Sequence, residues 1–298
     1  MVVAVLIIGA LRYITAMPGT SYAGSAALSA EERALAQRLR GHVSELAKNE
    51  RNSDLETAAR YIERQFTEPR SHEFRSGGRM VRNIETGAGE IVVGAHYDTV
   101  PGSPGADDNA SGVAVLIELA RMKLPARFIA FANEEMPYFQ SGEMGSYAAA
   151  RRAQERGEQV RAMFSLEMLG YFADEPGSQQ YPAPLARLYP DRANFIAFVG
   201  DLGAARLVRK AIALFRRHAR IASEGVAAPS AIPGVSWSDH WSFRRLGYPA
   251  VMVTDTAFYR YTHYHLPTDT PEKLDYERMA RVTLGLAAML KELADENR

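Results

Sequence analysis

The chain of 298 residues is long enough to bury a sizeable core, and its hydrophobic fraction of 47% and charged fraction of 23% are those of an ordinary globular protein. Its 35 basic and 35 acidic residues cancel to a formal charge of zero and form no basic patch, which argues against nucleic acid as a partner. It holds no cysteine, so disulfides, thiolate ligands and a cysteine nucleophile are excluded, and any metal site must be built from His, Asp and Glu.

The first stretch, "MVVAVLIIGALRYITAMPGTSYAGSA", is apolar from Val2 to Leu11. That run has the character of a signal-peptide core, and Ser21–Ala23 would serve for cleavage, but no basic residue precedes it and Arg12 follows it. It is shorter than the roughly 20 residues that span a bilayer. We read residues 1–27 as a linker preceded by a signal or membrane anchor, one reading being that its first residues are missing, with a buried or loosely attached N-terminal segment as the alternative, and 28–298 as one domain. The segment gives the expectation of an exported protein (periplasmic, secreted or membrane-anchored), with a cytoplasmic one as the alternative. Two helices follow, each with a capping box: Ser29 with Glu32, then Ser53 with Glu56. Leu35, Leu39, Val43 and Leu46 stripe the first; Leu55, Ala58, Ala59, Ile62 and Phe66 stripe the second.

From about Val81, short β-rich runs alternate with helices. "EIVVGAH", "ARFIAFANEE", "QVRAMFSLEMLG", "NFIAFVG" and "PAVMVTD" read as strands. "ASGVAVLIELARM", "GSYAAARRAQERG", "LGAARLVRKAIALFRRHAR" and "PEKLDYERMARVTLGLAAMLKELA" read as helices. Near-continuous apolar strands alternating with helices predict an α/β fold with a mostly parallel sheet covered on both faces. The stretch "YFADEPGSQQYPAPLARLYPDRA" reads as a loop-rich insertion.

The acidic and histidine residues recur at strand ends. His96 and Asp98 follow one strand, Asp107 and Asp108 sit in the next loop, Glu134 and Glu135 end the next strand, Glu167 ends another, and His263 and His265 follow the last. In open α/β sheets, ligands bind at the carboxyl ends of strands. Carboxylates crowded there repel one another unless a cation neutralises them. Oxygen and nitrogen donors without sulfur suit zinc, with manganese or cobalt as alternatives.

The segments "GAHYDTV…GADDNASG", "FANEE", "GSYAAA", "SLEMLGY", "SDHWSFRRLGYPA" and "HYHLPTDTPEKLDY" resemble the zinc aminopeptidases of metallopeptidase family twenty-eight, to which glutaminyl cyclases are related. The resemblance runs from about Val81 to Leu293. It implies a three-layer α/β/α sandwich around a mixed, mostly parallel sheet, the phosphorylase/hydrolase-like zinc peptidase fold. It also implies two zinc ions, a peptide substrate and an aminopeptidase activity. By the same resemblance His96, Asp108 and Glu167 bind the first metal, and Asp108, Glu135 and His265 the second. Glu134 matches the general base, Asp98 orients His96, and Tyr264 matches a tyrosine that hydrogen-bonds the tetrahedral intermediate. Asp239 and His240 fall in a recurrent motif without an assigned role.

Two departures stand out. Glu167 occupies a position where the secreted aminopeptidases carry Asp, lengthening the reach by about 1.5 Å. Metal binding at the first site is therefore expected to be the weaker. The stretch "MPYFQSGEM" is longer than the usual link, and Tyr138 and Phe139 in it either line a side-chain pocket or pack the loop. The rival functions are a single-zinc glutaminyl cyclase, which usually has Trp where this chain has Tyr264, and a non-catalytic binding protein on the same fold.

Overall fold

In the computed structural model, which describes residues 9, 11–182 and 185–296, eight strands form one sheet among the described residues. They are β1 (Arg70–Ser76), β2 (Arg79–Gly87), β3 (Ile91–His96), β4 (Arg127–Phe131), β5 (Ala162–Glu167), β6 (Phe195–Asp201), β7 (Ala222–Ala228) and β8 (Ala250–Thr254). The helices are α1 (Ala30–Leu46), α2 (Leu55–Gln65), α3 (Gly112–Arg121), α4 (Gly145–Glu155), α5 (Ala205–His218), α6 (His240–Arg245) and α7 (Tyr276–Asp295). The spatial strand order is β1-β2-β4-β3-β5-β8-β6-β7. Strands β4, β3, β5 and β8 run parallel; the β1–β2 hairpin joins β4 antiparallel, and β6, with β7 parallel to it, joins β8 antiparallel.

Every residue of β3 and β5 is buried, as expected for central strands covered on both faces. Alternate side chains go to opposite layers. Val93 packs with Leu35, Val115 and Leu286 from α1, α3 and α7, while Val92 packs with Ala150 and Phe243 from α4 and α6. The result is an α/β fold with a mixed, mostly parallel sheet.

The first capping box forms: Ser29 Oγ accepts the Glu32 N–H (3.0 Å), and Glu32 accepts the Ser29 N–H (2.6 Å). The second does not. Asp54, one residue after Ser53, caps α2 by accepting the Thr57 N–H at 3.1 Å. A carboxylate is favoured over a hydroxyl beside the positive end of the helix dipole. The closing helix is also divided. Pro271–Lys273 is a separate single turn, and α7 starts after Asp275, whose carboxylate accepts the Arg278 N–H at 2.9 Å.

All but Gly9 and Leu11 of the apolar run Val2–Leu11 lies outside the described residues. No described helix is long and apolar enough to cross a membrane. The stretch that follows is bound to the domain. Arg209 donates to the carbonyls of Tyr13 (2.7 Å) and Ala16 (2.8 Å), and Ser21 Oγ accepts the N–H of Ser223 on edge strand β7 at 2.8 Å.

Candidate metal centre

The chain turns sharply after β3. Gly105 (φ 62°) opens a broad helical turn, Ala106–Ser111, which carries Asp107, Asp108 and Asn109 into the carboxyl end of the sheet. The peptide between Asp108 and Asn109 is cis. Asn109 fastens this turn to the end of β5: its Nδ2 donates to Leu166 O (2.8 Å) and its Oδ1 accepts the Met168 N–H (3.1 Å). A Cβ at Gly112 would lie 2.3 Å from Asn109 Oδ1, so this close approach requires glycine.

Glu134 and Glu135 are not at the end of β4, which stops at Phe131. They follow Asn133 (φ 58°) in a turn beyond the strand, so strand alternation does not set the directions of their side chains. Asp98 sets that turn: its two carboxylate oxygens accept the N–H of Glu134 (3.0 Å) and of Glu135 (2.9 Å). Asp98 Oδ1 also lies 3.4 Å from His96 Nδ1, close enough for charge attraction but outside hydrogen-bond alignment. The aspartate therefore serves two ligand-bearing segments.

The structure brings His96, Asp108, Glu134, Glu135, Glu167 and His265 together. Around His96 Nε2 lie Asp108 Oδ1 (3.3 Å), Glu167 Oε1 (3.4 Å) and Glu134 Oε2 (4.0 Å). Around His265 Nε2 lie Asp108 Oδ2 (3.0 Å) and Glu135 Oε1 (3.4 Å). Asp108 thus offers one oxygen to each group. Glu167 Oε2 accepts the Ser238 hydroxyl at 2.7 Å, which fixes the longer side chain. All of these residues are buried except His265, which is half-buried and sits at the positive φ of 61°.

The electrostatics show what is missing. Burial raises Glu134 well above the usual carboxylate range, and it raises Glu135 to about 7, with Asp108 adding to the push. Burial opposes a charge on His265 and on His96, but the surrounding carboxylates win, lifting His265 to about 10 and His96 well above its ordinary value. Both imidazoles are therefore driven to act as cations. Glu135 Oε1 and His265 Nε2 are buried without a hydrogen-bond partner, because they face a common point without the alignment to bond each other. Three overlapping triads of this donor set fit a divalent cation, His96–Asp108–Glu167, Asp108–Glu135–His265 and His96–Glu134–Glu135, and the first two share Asp108. The cation would displace the two imidazolium protons.

The other expected residues fall into place around this cluster. Tyr264 stacks on His265 with centroids 3.7 Å apart. Asp239 is fully buried with neither oxygen hydrogen-bonded among the described residues, and burial pushes it up to about 7. His240 lies outside the cluster, its Nε2 2.8 Å from Val235 O, and burial lowers it to about 4. His263 pairs with Thr268 Oγ1 at 2.8 Å. Tyr138 covers the glycine turn at Gly77, while Phe139 packs edge-on against Trp237 at 6.4 Å.

Three supporting residues escaped the sequence reading. Asp269 accepts the N–H groups of Asp107 (2.9 Å) and Asp108 (3.1 Å). Ser238 holds Glu167. Arg51, fully buried, donates to the carbonyls of Leu46, Tyr97, Pro104 and Gly105 and so fixes the loop leading to Asp108. Asp269 and Ser238 stand inside the quoted motifs "HLPTDT" and "SDH", which was the available signal; nothing in the sequence marks Arg51.

Comparison with known proteins shows what the chain resembles. The model of Peptidase family M28 matches residues 80–290. The protein YfbL of Escherichia coli (strain K12), described as uncharacterized, is 43% identical over 215 residues, 67% of this chain and 66% of its own. Leucine aminopeptidase 1 of Ajellomyces dermatitidis is 27% identical over 66% of this chain, which spans only 51% of that protein. Among solved structures, the aminopeptidase LapA of Legionella pneumophila matches 89% of this chain and 74% of its own with a TM-score of 0.65 at 21% identity. A glutaminyl cyclase of Porphyromonas gingivalis matches 87% of this chain and 98% of its own with a TM-score of 0.59 at 20% identity. At such identities these two show the fold.

Proposed function

The chain belongs to peptidase family M28, and from that premise we propose that it is a zinc-dependent aminopeptidase that removes N-terminal residues from peptides. The observation that carries the reading is the sharing of Asp108 between two donor triads, buried except at His265. His96, Asp108 and Glu167 would hold one zinc ion, and Asp108, Glu135 and His265 a second. Zinc there supplies Lewis-acid polarisation and neutralises the carboxylates.

The chain's own residues divide the remaining work. Glu134, whose Oε2 lies 4.0 Å from His96 Nε2, is outside the two triads that share Asp108 and matches the family's general base, so it would take a proton from water and pass it to the leaving amine. Its backbone is fixed by Asp98, which keeps the carboxylate in place through the transfer. Tyr264, stacked on His265, presents its hydroxyl beside the cluster, where it would donate to the developing oxyanion. The concentration of carboxylates favours a substrate with a free α-amine.

The test is metal analysis at saturating zinc together with hydrolysis of aminoacyl p-nitroanilides. Two zinc ions per chain and cleavage of unblocked substrates support the reading; equal cleavage of N-acetylated substrates overturns it. A second reading is glutaminyl cyclase, the activity of the Porphyromonas enzyme that shares this fold over nearly its whole length. It predicts one zinc ion and release of ammonia from N-terminal glutamine.

A further inference from the structure

A pocket with a cavity volume of about 100 Å³, open to solvent at its mouth, starts at Glu167 and Tyr264 and runs along the sheet to Glu224 on the edge strand. Its floor is one row of the sheet. Glu167 lies opposite Thr254, Thr254 opposite Ala197, and Ala197 opposite Glu224. Directly paired residues project from the same face, so all four side chains enter the pocket, with Thr254 and Ala197 as its low middle. Phe195, Val199, Met252 and Val226 from the adjoining rows make the walls apolar.

Glu224 is out of keeping with that lining. Its carboxylate has no hydrogen bond among the described residues and is partly desolvated, which raises its pKa. The nearest cation, Arg216, is 3.6 Å away but directs its donors to the carbonyls of Met17, Pro18, Gly19 and Ser223 and to Ser223 Oγ. Arg260 stands over the Phe195 ring and donates to Gln179 Oε1 and Phe195 O, so its donors are taken up elsewhere. Beside Glu224, Tyr181 and Tyr189 stack with centroids 5.7 Å apart, offering aromatic faces next to a carboxylate. A carboxylate and aromatic faces at the end of an apolar channel form a receptor for a cation on an apolar stem.

The dimensions suit a long basic side chain. The backbones of Glu167 and Glu224 stand three strand spacings apart, or about 14 Å, with their side chains on the same face. An extended arginine measures roughly 9 Å from its α-amine to the far guanidinium nitrogen, and a charge-assisted hydrogen bond at each end adds about 5.6 Å. We propose, resting on the aminopeptidase reading, that Glu224 makes this a subsite for a basic first residue, arginine before lysine, with the α-amine at Glu167 and the side-chain cation at Glu224.

The test compares arginine with citrulline, which has the same shape without the charge. In zinc-saturated full-length protein, L-arginine is expected to bind at least tenfold more tightly than L-citrulline by calorimetry. Glu224→Gln should bring the ratio close to one, while Glu224→Asp, which keeps the charge, retains most of it. The ratio of kcat/KM for arginyl over leucyl p-nitroanilide should fall about tenfold in Glu224→Gln. An unchanged ratio, or no preference for arginine over citrulline in the wild type, overturns the proposal. Thermal midpoints of both variants near wild type exclude misfolding as the cause. If no aminoacyl amide is cleaved, the peptidase reading fails, while the arginine-to-citrulline binding ratio still decides the role of Glu224.

Discussion

Arg51 offers a severe test of how the centre is held. Its guanidinium donates to Tyr97 O (2.8 Å), Leu46 O (3.1 Å), Pro104 O (2.8 Å) and Gly105 O (3.0 Å). Arg51→Met keeps an unbranched apolar stem and leaves the carbonyls of Leu46, Tyr97 and Pro104 without a donor, while Gly105 O keeps the Ala110 N–H at 3.1 Å. Each unsatisfied buried acceptor costs about 1–3 kcal/mol, so even at the low end the loss is about 3 kcal/mol. In a domain of this size that corresponds to a fall in Tm of roughly 6–12 °C. Arg51→Lys places a single ammonium where a fork stood, so it reaches fewer carbonyls and should recover only part of the loss. Scanning calorimetry with and without zinc reads the effect. Zinc affinity should also weaken, because the loop bearing Asp108 loses its anchor. A Tm within 2 °C of wild type for Arg51→Met, or full stability with Lys, would refute the argument.

Three further outcomes are expected. Glu134→Gln should lower kcat by about 10²–10⁴-fold with zinc content near wild type, whereas Glu135→Gln should lose zinc as well as rate; the converse pattern reverses the two roles. Ser238→Ala frees Glu167 Oε2 and should weaken zinc binding at the His96 triad more than at the His265 triad, read by stepwise dialysis. For His240, burial lowers the folded pKa to about 4, so the neutral ring is favoured in the fold. Its stabilising contribution is therefore present above the unfolded value of about 6.5 and is lost as pH falls toward 4, about 2 kcal/mol of it between pH 7 and pH 5. His240→Gln should lose less stability than wild type over that interval; equal acid lability in both removes His240 from the account.

The parallel core was legible because β3, β5 and β8 are almost wholly apolar and sit between helices with periodic stripes. Strands β1 (RSHEFRS) and β7 (ASEGVAA) were not, since edge strands with polar or small residues carry no burial signal of their own. Helix α6, six residues long, is too short for a helical period to register. At the centre, the ligand candidates were visible because a carboxylate or imidazole at a strand end is chemically conspicuous. Their supports were not. Arg51 acts on backbone carbonyls more than 40 positions away in sequence, and a residue chosen for the shape of a distant loop leaves no local pattern.

The supports share a principle that explains how so acidic a centre stays folded. Aspartates behind the cluster accept backbone N–H groups from neighbouring loops: Asp98 from Glu134 and Glu135, Asp269 from Asp107 and Asp108, and Asp107 from Gly170. Asp255 does the same for Tyr171 and Ala257. These N–H groups offset part of the cost of burying the aspartates; burial still raises Asp107, Asp255 and Asp269 above the ordinary carboxylate range, with Asp255 adding to the push on Asp107. Each acceptor also places the next pair of side chains without using them, so the oxygens of Asp108, Glu134 and Glu135 remain directed inward. The turns are thus fixed by their main chains, and the side chains keep the unmet charge that a divalent cation would satisfy. A neutral amide in place of Asp98 could accept only one of the two N–H groups, and would loosen both glutamates together.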